Sequence, residues 1–255
     1  MKTRGIHWEL AGRAFRVVRK APGVRQILAS AREQWIEESD EFTTWLTFAN
    51  AGMTHPGSRY CLRYAIQHLP GDHPIIEIGA FCGLSTNLIT HYCRKHGKRN
   101  AVIVSDRWDF ENRNGDRIGD APLTHAQYRE FVRDSFLRNV RLFSGDRLPW
   151  PVELDSDDFF AAWRRGTTVT DALGRSIALG GPISFAVIDG NHTYEFARRD
   201  FANSDEFLVP GGFLFLDDSS DDSRFEGVRR VVQEIRASSR YELAARNPHY
   251  LFRKR

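Results

Sequence analysis

Pro74-Ile75-Ile76-Glu77-Ile78-Gly79-Ala80-Phe81-Cys82-Gly83-Leu84-Ser85-Thr86-Asn87-Leu88-Ile89 changes its periodicity midway. An apolar run holds an acid near its end, two glycines follow at a spacing of four, and apolar residues then recur at helical intervals. The stretch therefore reads as strand, tight turn and helix. Gly79 and Gly83 allow backbone to come close to a ligand, and the free N–H groups at the helix start favour negative charge such as a carboxylate.

Further runs of the same kind follow. Ala101–Asp106 is a second buried strand ending in an acid, Val140–Ser144 reads as a third leading into Gly145-Asp146, and Ile183–Gly190 as a fourth. Val209-Pro210-Gly211-Gly212 turns into a fifth, Phe213–Asp218. Helical patterns separate them, so the expected fold is α/β: a doubly wound, Rossmann-like parallel sheet with right-handed crossovers. Val228, Val231, Val232 and Ile235 mark a last helix, and Tyr241–Ala245 and His249–Phe252 close the chain as two strands. Residues 107–124 lack periodicity and read as a lid or binding loop, whose Trp108 and Phe110 could line a pocket or pin the loop. Residues 150–182 read as an insertion, with Phe159, Phe160 and Trp163 on a short helix and a hairpin about Gly174.

Residues 1–52 form an expected N-terminal helical appendage to a domain spanning 53–255. Ile6, Leu10, Ala14 and Val18 recur at helical spacing opposite Arg13, Arg16 and Lys20; Ile27, Leu28, Ala31 and Trp35 share a second face, and Phe42, Trp45, Leu46 and Ala49 a third. Such a basic pattern is compatible with weak peripheral contact on an anionic membrane. A cap packed on the main domain, or on a second subunit of a homo-oligomer, is the favoured reading.

At 255 residues, 41% hydrophobic and 27% charged, the chain suffices for one large domain plus that appendage. Its longest apolar runs are strand-sized, with no transmembrane span and no signal-peptide core, so a cytoplasmic location is expected. Cys61, Cys82 and Cys93 are odd in number and never spaced Cys-x-x-Cys, which argues for reduced thiols. The net charge of +3 forms no basic stripe, arguing against a nucleic-acid partner.

Strands ending in Glu77, Asp106, Gly145-Asp146, Asp189 and Asp217-Asp218 should converge on one crevice, because ligands of open α/β sheets bind at the carboxyl ends of the strands. A dinucleotide would call for Gly-x-Gly-x-x-Gly, whereas only Gly79-x-x-x-Gly83 is present, leaving less room for a pyrophosphate. Asp106 stands where an acid would accept ribose hydroxyls. A nucleoside cofactor without pyrophosphate suits this set: S-adenosylmethionine, its amino-acid part over Gly79 and Gly83, its ribose on Asp106, its adenine near Gly145-Asp146. A nicotinamide-dependent oxidoreductase and a non-catalytic cofactor-binding scaffold stay open as rivals.

Glu77-Ile78-Gly79-x-x-x-Gly83-x-Ser85-Thr86, Ile188-Asp189-Gly190-Asn191-His192-Thr193-Tyr194-Glu195 and Leu208-Val209-Pro210-Gly211-Gly212 with Asp217-Asp218 together resemble the class I S-adenosylmethionine-dependent methyltransferases. Within that class the chain is most similar to the macrocin-type sugar O-methyltransferases, relatives of catechol O-methyltransferase, from about Met53 to the C-terminus but not over 107–138 and 150–182. The resemblance implies a seven-stranded sheet with an antiparallel last strand, cofactor contacts from the Glu77, Gly79, Gly83, Ser85 and Thr86 motif, and a segment near Met53 and Thr54 close to the cofactor. It implies transfer of a methyl group to a hydroxyl of a sugar or polyhydroxylated small molecule. It further implies that Asp189, Asp217 and Asp218 hold Mg²⁺ and that His192 takes the hydroxyl proton. Oxygen ligands suit a hard cation, and an imidazole of ordinary pKa near 6.5 suits a base at neutral pH. Asp and Ser at 217–222 equally suit a helix-capping turn, and His192 a bond to its own turn.

Overall fold

A computed structural model describes residues 39–109 and 116–255. The chain divides into two units, Met1–Ile36 and Glu37–Arg255. The first, with the two basic amphipathic segments expected there, lies outside the described residues, as does Phe110.

Within the second unit the chain forms α1 (Glu41–Ala49), α2 (Ser58–Gln67), β1 (Ile75–Ile78), α3 (Leu84–Lys95), β2 (Val102–Ser105) and α4 (His125–Phe143). After a 3₁₀ turn (Gly145–Arg147) come β3 (Trp150–Val152), α5 (Ser156–Arg165), β4 (Thr168–Thr170), β5 (Ser176–Ala178), β6 (Ile183–Ile188) and α6 (Tyr194–Phe207). The last elements are β7 (Leu208–Leu216), α7 (Glu226–Ala237), β8 (Tyr241–Arg246) and β9 (Tyr250–Lys254).

Seven strands make one sheet in the order β3-β2-β1-β6-β7-β9-β8, and β4 pairs with β5 in a separate hairpin. The first five are parallel, while β9 enters antiparallel between β7 and β8, which is the sheet the sequence resemblance implied. Alternation along the strands sends Ile75, Phe185, Val187, Phe213 and Phe215 to one core with α1–α4. Their neighbours Ile76, Ile78, Ala186, Ile188, Leu214 and Leu216 face the other core, with α5–α7. Both faces are apolar because helices cover both, so the strands are continuously hydrophobic rather than alternating.

Register then sets the site. Ile78 lies opposite Ser105 and Ile188, and Ile188 opposite Leu216, so the strand ends are level. The next residues stitch them together: Gly79 N–H donates to Ser105 O (2.9 Å), Asp189 N–H to Ile78 O (2.8 Å) and Asp217 N–H to Ile188 O (3.0 Å).

Two expectations need correction. Val140–Ser144 is not the third strand, because α4 runs on to Phe143. Val132, Phe136 and Val140 repeat every four residues and are fully buried, whereas Leu142, which a strand would bury beside Val140, is 73% exposed; helical period overrides β-branched preference here. The edge strand is instead β3, paired with β2 through Ile103 and Trp150. Residues 150–165 are therefore a regular strand–helix unit, and the irregular part of the expected 150–182 insertion narrows to the β4–β5 hairpin and its flanks.

Helix α1 joins this domain through its cap. Asp40 accepts from Thr43 N–H (2.8 Å) while Thr43 Oγ1 accepts from Asp40 N–H (2.8 Å), and the other carboxylate oxygen meets His91 Nε2 and Lys95 Nζ on α3, both at 2.9 Å. Phe42 stacks on His91 with ring centroids 4.3 Å apart.

Candidate active site

A cleft of about 610 Å³ opens along the carboxyl ends of β1, β2, β3 and β6. Its floor is the turn after β1. Gly79 has φ +82°, and a Cβ there would stand 2.1 Å from Asp189 O, so any side chain would push the β1 and β6 ends apart. Gly83 has φ +88°, with Phe136 3.1 Å from a would-be Cβ. Phe81 between them, Trp108 and Asp218 also hold positive φ without being glycine, a cost accepted where backbone must point a particular way.

Side chains beneath the turn hold it in shape. Glu77 is fully buried, receives Thr86 Oγ1–H at 2.5 Å, and leaves Oε1 without a partner. Burial raises its pKa to about 7, against the pull of Ser85 and Thr86. Glu77, Ser85 and Thr86 thus support the turn rather than line the cleft. The carbonyl of Cys82 accepts from Asn50 Nδ2 and Asn139 Nδ2, each at 2.9 Å; Asn87 Nδ2 donates to Asn50 Oδ1 (2.8 Å) and Ser144 Oγ to Asn87 Oδ1 (2.6 Å). This buried network went unread in the sequence, since its members lie in three separate segments.

Asp106 closes the turn from β2. Its Oδ2 accepts from Ala80 N–H (2.8 Å) and Phe81 N–H (3.0 Å), and its Oδ1 from Trp108 N–H (2.6 Å). Burial raises its pKa, while these three donors lower it in part. Three of about four acceptor directions are thereby used, leaving one open. Trp108 is 1% exposed and gives its indole N–H to Phe81 O at 2.9 Å, so it pins the loop to the core.

Opposite the turn stand the acids of β6 and β7. His192 Nε2 lies 3.1 Å from Asp218 Oδ2 and 3.8 Å from Asp189 Oδ1, as an ion pair without a well-aligned hydrogen bond to either, and its ring stacks on Phe225 at 4.1 Å. Burial alone would lower the His192 pKa, but Asp189 and Asp218 outweigh it and raise it to about 9. Burial together with the Asp217 charge pushes Asp189 well above the usual carboxylate range. Asp217 is turned away from the cleft. It is 6% exposed, and its Oδ1 lies 2.5 Å from Nδ1 of the equally buried His249, on the β8–β9 turn. Neither residue stretch serves the structural role open to it: α7 starts only at Glu226 with Phe225 as cap, and Asn191 rather than His192 receives Thr193 N–H.

The expected metal ligands are consequently brought to one sheet edge but not to one point. His192 fills the gap between Asp189 and Asp218, and Asp217 is paired behind it; among the described residues no three His, Cys, Asp or Glu side chains form a group able to hold a metal ion. The arrangement does not fit a resident cation. His192 and His249 stand against these carboxylates in its place.

Asp146 is also elsewhere. It follows a helix instead of a strand, so it sits at the amino edge of β3, 75% exposed and 3.8 Å from Arg94. Its place at the cleft is taken by Leu154, Asp155 and Ser156 after β3. Met53 lines the cleft, as expected. His249 was missed as a site residue; an imidazole directly before the apolar run Tyr250-Leu251-Phe252 is the only signal it gave.

A family model described as a methyltransferase domain matches residues 76–219, more than half of the chain. Among solved structures, a candidate O-methyltransferase from Klebsiella pneumoniae is similar with TM-score 0.54 and 14% identity, over 93% of this chain and 99% of that one. TomG of Streptomyces achromogenes, an O-methyltransferase of tomaymycin synthesis in complex with S-adenosylmethionine, gives 0.51 and 13% over 88% and 94%. CalS11, a calicheamicin methyltransferase, gives 0.50 and 14% over 100% and 94%. Identities so low speak for fold alone, and the family match speaks against a nicotinamide-dependent oxidoreductase. Because that match runs from β1 through the glycine turn to the acids after β7, the chain belongs to the methyltransferase-domain family and is a class I S-adenosylmethionine-dependent methyltransferase.

Proposed function

We propose that the chain methylates a hydroxyl of a sugar or polyhydroxylated small molecule, using Asp189 as the proton acceptor. The observation that carries this reading is Asp189 at the cleft, level with the glycine turn and held beside His192. Arg107, Asp109, Asp155, Asn191 and Arg224 add hydroxyl-binding groups to the wall. TomG and CalS11, both named for natural-product chemistry, support an acceptor of that kind.

S-adenosylmethionine supplies an electrophilic methyl on a cationic sulfur, and the acid-rich cleft favours that charge. The hydroxyl oxygen forms a bond to the methyl carbon as the carbon–sulfur bond breaks, its electron pair staying on sulfur. The hydroxyl proton passes to Asp189, whose raised pKa suits a general base better than an ordinary carboxylate. His192, with a pKa of about 9, is an imidazolium at neutral pH; it orients Asp189 and Asp218 rather than acting as the base expected from its unperturbed value. The scheme routes no step through a divalent ion, because Asp217 lies against His249 and His192 stands between Asp189 and Asp218.

The test is methyl transfer by the full chain from S-adenosylmethionine to a panel of free and nucleotide-linked sugars, with and without EDTA. Turnover within about 2-fold under chelation is expected. Loss on chelation with recovery in Mg²⁺ overturns the metal-free scheme, and methylation of amines or thiols alone overturns the hydroxyl assignment.

A further inference from the structure

Asp200, on α6, lines the cleft at its β3 end, is 1% exposed, and has no hydrogen-bond partner for Oδ1. Its closeness is arranged. A Cβ on Gly190 would stand 3.2 Å from Asp200 Oδ2, so the missing side chain lets the carboxylate approach the loop after β6. Ser156, at the start of α5, bonds the carboxylate, and burial raises its pKa to about 6 in spite of that bond. An ionised carboxylate can only accept, and a buried acceptor left unpaired loses its hydration without return. The site calls for a donor.

The cofactor's orientation says which donor. Its sulfonium must face Asp189 and its ribose Asp106, so the base extends toward Leu154, Asp155, Ser156 and Phe196, which line that end of the cleft. Arg199 lies over the Phe196 ring at 4.4 Å and steadies this flat apolar wall. Once attached to ribose, adenine keeps only the two hydrogens of its 6-amino group as N–H donors. We infer that Asp200 accepts one of these hydrogens and so makes the site selective for a 6-aminopurine. This inference rests on the cofactor placement proposed above. A 6-oxopurine would instead set its own acceptor against a buried carboxylate, and a site built around one hydrogen bond rejects the analogue lacking it.

Calorimetric titration of the full chain with S-adenosylhomocysteine and with S-inosylhomocysteine tests this. The wild type should bind the adenosyl compound at least about 30-fold more tightly. Asp200→Asn, whose amide can turn to donate, should cut that preference to within about 3-fold, whereas Asp157→Asn, on α5 but outside the cleft lining and paired with Arg199, should keep it. Equal affinities in the wild type, or an unchanged preference in Asp200→Asn, would overturn the assignment. If Asp200→Asn does not fold, Ser156→Ala serves: the preference should fall as the carboxylate loosens, and an unaltered ratio counts against Asp200. Binding of neither compound would overturn the cofactor reading and this inference together.

Discussion

The glycine turn after β1 and the acid–histidine edge after β6 and β7 face each other across one cleft, but they are built from different ranges of the chain. The turn is local: Glu77, Gly79, Gly83 and Thr86 lie within ten residues, and their conformations follow from residue type. The edge is assembled from Asp189, His192, Asp217, Asp218 and His249, three segments that meet because β7 pairs with β6 and β9 inserts beside β7. In the turn, backbone geometry is the functional element and side chains brace it from below. Along the edge, charge is the functional element, and each acid is defined by the imidazole it faces. Local sites are robust in reading and fragile to added atoms; assembled sites are the reverse.

Substitutions on the two sides should therefore fail differently. The largest effect is expected at the edge, where Asp189→Asn should lower kcat about 1,000-fold while S-adenosylhomocysteine affinity, read by calorimetry, stays within about 3-fold. Joint loss of affinity and rate would mean that Asp189 belongs to binding. In the turn, Gly79→Ala places a methyl 2.1 Å from a carbonyl oxygen at φ +82°, and should cost about 3 kcal/mol in denaturant unfolding together with cofactor binding. A stability loss below about 1 kcal/mol would show that the β1 and β6 ends can part freely.

Below the turn, Glu77 gives a pH signature. Its pKa is about 7 folded against an ordinary 4.5, so the native state keeps this proton to higher pH than the unfolded chain. Its contribution is complete below about pH 4.5 and is lost as pH rises through about 7, by roughly 3 kcal/mol. Glu77→Gln, uncharged and still able to accept from Thr86, should flatten that slope in unfolding measured from pH 5 to 8. An unchanged slope would remove Glu77 as its source. The smallest effect belongs to His249→Asn, expected to lower kcat about 10- to 100-fold with cofactor affinity intact, through misplacement of Asp217 and the edge beside it. If turnover is unaffected, the buried pair is structural only.

Much of the edge was legible as residues but not as chemistry. Asp189, Asp217 and Asp218 could be placed at strand ends because apolar runs ending in acid are strong patterns, yet a strand end fixes only where a side chain starts. Whether three carboxylates meet at a cation or turn to separate partners depends on rotamers and neighbours. His249 decided that for Asp217 from 32 residues away. The misreading of Val140–Ser144 had a similar origin: a short apolar run is ambiguous between strand and helix, and that error carried Asp146 to the wrong edge of the sheet.

By itself, the sequence determined the order of strands and helices around β1, the glycine turn with its cofactor class, and the set of acids available at one sheet edge. These follow from periodicity, from glycine's access to positive φ, and from the rule that strand ends of one sense share an edge. Tertiary structure alone decided that β3 takes the edge position, that Asp106 is already bonded by the turn it closes, and that His192 holds its proton near neutrality. It decided these because hydrogen bonding, burial and the pKa of a group are properties of what surrounds it, and that surrounding is assembled from segments with no proximity in the chain.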